Sequence, residues 1–226
     1  MTVASCIDHL VVAAETLAQG EQWCEATLGV TPREGGEHPL MGTHNLVLRL
    51  DSDRFPRAYF EIIAINPAAV AARRPRWFDL DDPVLRDAVR RRPRLIHFVA
   101  RSDGAAAASN ALRRLGIERG PLVQADRATP QGLLRWQISI RADGQRLFYG
   151  GLPTLIQWGD VHPCDRMPVS GLCLQSLCVA HPRIAELRAA HNAIGLADVA
   201  LEQGAPNLLA TLSTPKGVVV LESAGT

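Results

Sequence analysis

Net charge is almost absent from this chain: 24 lysines and arginines stand against 23 aspartates and glutamates, leaving +1 with histidine neutral. Such a balance supplies no global field to draw in nucleic acid or an anionic membrane. Cysteine pairs are lacking as well. Cys6, Cys24, Cys164, Cys173 and Cys178 are odd in number and never spaced as CxxC, which fits reduced, buried thiols and not a disulfide framework. No apolar run reaches the roughly 20 residues a membrane helix needs, and no basic segment followed by an apolar stretch opens the sequence. The expectation is a soluble, cytoplasmic protein that acts on a small molecule, with no nucleic-acid or membrane partner. The single basic cluster, residues 86–94, is interrupted by Pro93 and reads as a solvated connector.

What is present is a repeat. With 226 residues, 47% of them hydrophobic, the chain has the apolar mass for a real core. Three times it writes a short apolar run, a helix-like stretch and a Leu/Ile-Gly-aliphatic stop. The runs open at Ile7-Asp8-His9-Leu10-Val11-Val12-Ala13, Ile96-His97-Phe98-Val99-Ala100 and Ser176-Leu177-Cys178-Val179-Ala180. The stops are Leu28-Gly29-Val30, Leu115-Gly116-Ile117 and Ile194-Gly195-Leu196. His9, His97 and Ser176 each precede their stop glycine by about 20 residues, and a repeat of that kind decides architecture before any single motif does.

In copy one a strand over 6–13 is followed by a helix over 14–29 with Thr16 as N-cap, a turn-rich stretch over 31–43 holding at most a weak strand, and strands over 45–50 and 58–65. Copy two repeats the order: strand 95–101, an alanine-rich helix over 103–115 with Ala108, Ala111, Leu112 and Leu115 on one stripe, then strands over 122–125, 133–140 and 154–158. Copy three is shorter, with a strand over 172–180, a helix over 182–194 and a closing hairpin over 208–221. The fold class is α+β, built of β-α-β-β-β modules: the first over 1–66, a linker over 67–93, the second over 94–159, a linker over 160–170 and a third, smaller module over 171–226. A single such unit cannot close on itself, so the first two pair into a cup. Alternation of side chains along each strand then decides what lines the hollow.

His9 and His97 hold equivalent positions in copies one and two. Glu61 lies inside the apolar run Tyr59-Phe60-Glu61-Ile62-Ile63, where an ionised carboxylate is costly unless paired or metal-bound. Two imidazoles and a carboxylate suffice to hold a divalent ion with positions left open for substrate. Gln157 occupies the position in copy two that Glu61 occupies in copy one.

These residues resemble the vicinal oxygen chelate superfamily and, within it, glyoxalase-like domain proteins. The likeness is carried by Ile7-Asp8-His9-Leu10-Val11-Val12, Met41-Gly42-Thr43-His44-Asn45, Phe60-Glu61-Ile62-Ile63, Arg74-Pro75-Arg76-Trp77-Phe78, Leu134-Arg135-Trp136 and Leu155-Ile156-Gln157-Trp158-Gly159-Asp160, and it spans nearly the whole chain. The resemblance implies one divalent metal (Zn, Ni, Mn or Fe(II)) held by His9, Glu61, His97 and Gln157. Glyoxalase I itself has a glutamate at the last of these. The implied chemistry is that of a metal-dependent lyase, isomerase or dioxygenase that chelates two neighbouring substrate oxygens and stabilises an enolate-type anion. Glu61 and His44 are then the catalytic candidates, with His44 the base. Arg135 is placed to hold a substrate carboxylate or phosphate, and Asn45, Trp77, Trp136 and Trp158 to line the substrate site.

Plainer readings stand beside these. A lone histidine in an apolar run is ordinarily a core residue with a local partner; only the convergence of His9, His97 and Glu61 raises it to a site. Trp77 and Trp136 read singly are packing residues, and His44, after Gly42 and Thr43, reads equally as a turn residue. His38 and His162, in proline-containing loops, are expected to be exposed. His191 continues the helical stripe of copy three, where no second metal site is expected because Ser176 replaces the histidine. The third module either covers an open edge of the cup or pairs with its mate in a homodimer, the dimer being preferred. The alternative to an enzyme is a protein that sequesters a small ligand in the same cup without metal or turnover.

Overall fold

The computed structural model describes residues 4–50, 52–70, 74–129 and 132–225; the linker residues 71–73 and the extreme ends of the first and third modules lie outside them. In chain order the elements are β1 (Ser5–Ala13), α1 (Leu17–Leu28), β2 (Arg33–His38), β3 (Thr43–Leu50), β4 (Ala58–Ile65), α2 (Pro83–Arg91), β5 (Arg94–Ser102), α3 (Ala105–Arg114), β6 (Leu122–Thr129), β7 (Gly132–Ser139), β8 (Thr154–Trp158), β9 (Cys173–His181), α4 (Ile184–Ala193), β10 (Ala200–Gln203), β11 (Asn207–Thr214) and β12 (Gly217–Glu222).

The first two modules share one eight-stranded sheet in the order β2-β3-β4-β1-β5-β8-β7-β6. Its two halves mirror each other about the antiparallel β1–β5 pair, and each opening strand runs parallel to its module's last strand, β1 to β4 and β5 to β8. The sheet's two faces bury different cores. Leu10, Val12, Phe60, Ile62, Phe98 and Leu155 belong to the convex core. Val11, Ala13, Ile63, Val99, Ile138 and Ile156 belong to the concave one.

Two connections depart from the sequence reading. The first linker contains α2, which Asp82 caps by accepting the Val84 and Leu85 amides, with Pro83 in the first turn where its missing N–H costs nothing. Leu85, Ala88 and Val89 are buried, and Leu85 and Val89 pack into the concave core. A solvated connector is thus the floor of the hollow at one end; the arginines that disguised it occupy the helix's other face. The second linker walls the other end of the hollow, contributing His162, Met167, Pro168 and Val169 to it.

The third module forms its own sheet, β10-β9-β11-β12. Among the described residues it pairs with neither edge strand of the large sheet, so there it does not cover the cup's open edge. Leu177, Val179, Leu208, Ala210 and Leu212 instead join the convex core with Leu10, Phe60 and Phe98. Among the described residues no helix is long and apolar enough to cross a membrane.

Candidate active site

At the end of the hollow away from α2 lies a cavity of about 740 Å³, large enough for a small metabolite. Its chemistry begins at a β-bulge. On β1 the pairing with β5 slips between Ile7 and His9, so Asp8 is an extra residue and alternation breaks there. Asp8 and His9 consequently act together. The fully buried Asp8 carboxylate takes His9 Nδ1 on one oxygen at 2.6 Å, and His162 Nε2 and Trp158 Nε1 on the other, each at 3.0 Å. His162 Nδ1 accepts the Cys164 amide at 3.1 Å, which leaves the proton on Nε2 to donate to Asp8. Burial alone would raise the Asp8 carboxyl; hydrogen bonds from His162 and His9 outweigh it and hold the group well below the usual carboxylate range. Asp8 is therefore an anion that fixes His9 with Nδ1–H inward.

His9 Nε2 then lies 3.5 Å from Glu61 Oε2, and the His9 ring stacks on Tyr59 with centroids 4.4 Å apart. Burial, followed by the charges of Asp8 and Glu61, raises Tyr59 well above the ordinary phenol value. The other Glu61 oxygen accepts Asn45 Nδ2 at 2.5 Å, and Asn45 Oδ1 accepts the Gly36 amide at 2.8 Å. Asn45 in turn needs Gly35: a Cβ there would sit 2.1 Å from Asn45 Oδ1. His38, half-buried and lining the cavity, shares a 3.0 Å hydrogen bond with Thr43 Oγ1. Burial pushes its pKa down to about 4, so it is neutral near pH 7. Trp77 packs edge-on against His38, and Trp136 and Trp158 face each other at 5.5 Å; all three line the cavity.

Of the four residues expected as metal ligands, the structure brings two together. His9 and Glu61 meet at the cavity, whereas His97 does not reach it. Its Nε2 accepts the Thr154 amide at 3.1 Å, and its Nδ1 lies 3.1 Å from Gly150 O, so the ring's one lone pair is spent inside the fold. Phe78 lies against it at 5.0 Å. Burial and the charges of Arg119 and Arg146 push His97 well below the usual histidine value. Gln157 is one residue out of phase: Ile156 and Trp158 face the hollow, while Gln157 Oε1 accepts the Ala105 amide and Gln137 Nε2 on the helix side. Among the described residues no three His, Cys, Asp or Glu side chains converge on a metal position. The donor set of this arrangement falls short of the three protein ligands with which catalytic zinc-type sites hold their ion.

The same pleat corrects two further expectations. Asn45 and Val47 line the cavity, so His44, in phase with Leu46 of the convex core, points to the convex side and cannot be its base. Leu134 and Trp136 line it, so Arg135 is exposed on the outer face. His162, expected in solvent, is 3% exposed. Sequence reasoning also missed Asp8, Tyr59 and His38. The acidic residue directly before His9 was the available signal for the first of these.

A glyoxalase-like domain profile matches residues 7–195, and the chain belongs to that family. Among solved structures it is similar to a hypothetical protein from Staphylococcus aureus, at 12% identity and a TM-score of 0.60, over 96% of this chain and 85% of that one. It is also aligned with the Mn(II)-bound glyoxalase from Novosphingobium aromaticivorans (10% identity, TM-score 0.48, 100% and 84% covered) and with methylmalonyl-CoA epimerase from Mycobacterium tuberculosis (18%, 0.36, 67% and 85%). No curated protein matches the chain.

Proposed function

We propose that this protein is an isomerase- or lyase-type enzyme of a small carbonyl compound, working by proton transfer in the cavity between the first two modules. The observation that carries the reading is the pair of acid–base groups, His9 Nε2 and Glu61 Oε2, 3.5 Å apart on the cavity wall, each tied from behind by a buried partner. Asn45 holds one Glu61 oxygen and leaves the other to take a proton from a substrate carbon next to a carbonyl. The C–H bond breaks, an O–H bond forms on Glu61, and the electron pair passes to the carbonyl oxygen. In a 2-hydroxy carbonyl compound His9 Nε2 takes the proton of the neighbouring hydroxyl, the Asp8 anion behind it stabilising the imidazolium, and delivers it to the carbonyl oxygen, so the hydroxyl carbon becomes the new carbonyl carbon as Glu61 protonates the old one. Return of the proton to carbon completes a redox-neutral isomerisation. The aromatic walls of the cavity, Trp77, Trp136 and Trp158, exclude water from the anion formed. Because the donor set lacks a third ligand, no step is routed through a metal.

Incubating the protein in D₂O with a panel of 2-hydroxy and 2-oxo carbonyl compounds tests this, with exchange at the carbon next to the carbonyl read by NMR. Exchange in the wild type that falls about 10²–10⁴-fold in Glu61→Gln is expected. Tight binding with no exchange by any compound would favour the second reading, a sequestration protein using the same cavity.

A further inference from the structure

The cavity contains a cation that neither the proton-transfer step nor the fold uses. Arg127 sits on β6 opposite Leu134 of β7, and both line the cavity. β6 and β2 are the two free edges of the eight-stranded sheet. The Arg127 guanidinium spans the gap between them and lies against Gly36 on β2. A Cβ at Gly36 would fall 1.7 Å from Nη1, so only glycine lets the side chain lie there. Arg127 makes no hydrogen bond or ion pair with a side chain among the described residues, and its Nε is buried with no partner. Its charge is felt inside the cavity, where it adds to the lowering of His38 that burial causes and partly opposes the raising of Tyr59 by burial and nearby carboxylates. A second wall donor is in the same condition: Trp77 is 9% exposed and its Nε1 is buried without an acceptor.

A buried donor left unmatched is costly, and native proteins rarely keep one without reason. Here two line one cavity. Of the cavity's two carboxylates, Glu61 is already held by Asn45 and faces His9, and Glu34 is exposed on β2 and forms no ion pair with Arg127 among the described residues. The missing acceptors must then come from what enters. A single guanidinium presents a planar fork that matches a carboxylate with two parallel hydrogen bonds. A phosphate dianion would remain half neutralised there. Exposed Arg33 and Arg166 stand at the rim against one carboxylate, Glu34, a balance that still favours an incoming anion.

The geometry points to a carboxylic acid as the substrate class, its carboxylate clamped by Arg127 between the two sheet edges and its reacting carbon extended toward Glu61. This rests on the proton-transfer reading of the same cavity and assigns Arg127 the anion-binding role that the sequence placed on Arg135. Arg127 is a specificity determinant; the proton is moved elsewhere.

Calorimetry with the intact protein tests it, using 3-phenyllactate, its uncharged amide and inorganic phosphate as probes. The acid is expected to bind at least about 10-fold more tightly than the amide and than phosphate. Arg127→Met should weaken the acid about 10–100-fold and leave the amide unchanged, which also reports that the variant is folded. Arg127→Lys should recover part of the loss. Gly36→Ala displaces the guanidinium without removing it and should reproduce the effect of Arg127→Met. Glu61→Gln should keep acid binding while losing deuterium exchange. Acid and amide binding alike, equal weakening of both in Arg127→Met, phosphate binding as tightly as the acid, or no binding by either organic probe would each overturn the assignment. Acid binding through Arg127 with no exchange on any substrate would sink the proton-transfer reading and leave the carboxylate site standing.

Discussion

Asp8 is the residue on which the site turns. A carboxylate with no solvent contact survives there because three ring N–H groups converge on it, and hydrogen bonds to a charged acceptor are each worth about 1.5–3 kcal/mol. Asp8→Asn keeps the shape and removes the charge, so we expect a loss of about 2–4 kcal/mol in urea unfolding. The sign with pH follows from its lowered pKa. Its contribution is fully present above the unfolded carboxylate value near ~4 and is lost as pH falls below that value toward the folded one. The neutral histidines act over a higher window. The pKa of His38 is lowered to about 4 and that of His97 is also lowered, so below about 6.5 the unfolded chain binds protons that the folded chain refuses. Stability should therefore decline from about pH 6.5 down to about 4. A chemical-denaturation series across that range should show the decline in the wild type and a shallower one in His97→Gln.

At the scale of elements, alternation was both the guide and the source of error. His9 and Glu61 were legible because each lies on the inward phase of a strand whose limits could be read from its apolar run. His44, Arg135 and Gln157 were assigned by motif position and lie one residue out of phase, which in a strand means the opposite face. Asp8 was missed for the reverse reason: strict alternation puts it on the face opposite His9, and only the bulge turns it inward, although an acidic residue directly before His9 was there to be read. The helix α2 was hidden by its arginines. Its apolar stripe is only Leu85, Ala88 and Val89, too short to stand out from a charged run. Its burial makes a prediction: Leu85→Ala should cost about 2–5 kcal/mol in thermal or urea melts. It should also weaken ligand binding, because the floor of the hollow moves with it. Asn45→Ala, which unties Glu61 but touches no core residue, should instead lower deuterium exchange at least about 10-fold while leaving the melting temperature within a few degrees.

For the whole molecule the repeat foretold the paired modules but not the use of the third. Pairing of β1 with β5 builds the cup from copies one and two. Copy three lacks a histidine at the equivalent position, Ser176, and turns its apolar sheet face to the back of the other two. One convex core therefore runs through all three modules, from Leu10 and Phe98 to Leu177 and Leu212. A chain ending at residue 170 should expose that core and fail to give a dispersed NMR spectrum. The intact chain should unfold in one cooperative transition. Two separated transitions would mean that the third module is an independent domain.

The claim on which the rest depends is that His9 and Glu61 move protons without a resident metal, because His97 and Gln157 are committed elsewhere in the fold. The most direct test is the deuterium-exchange rate of exhaustively chelated protein, measured again after adding Mn, Zn, Ni or Fe(II). One rate throughout is expected, about 10²-fold or more above that of Glu61→Gln. Exchange that disappears on chelation and returns with a divalent ion would contradict it.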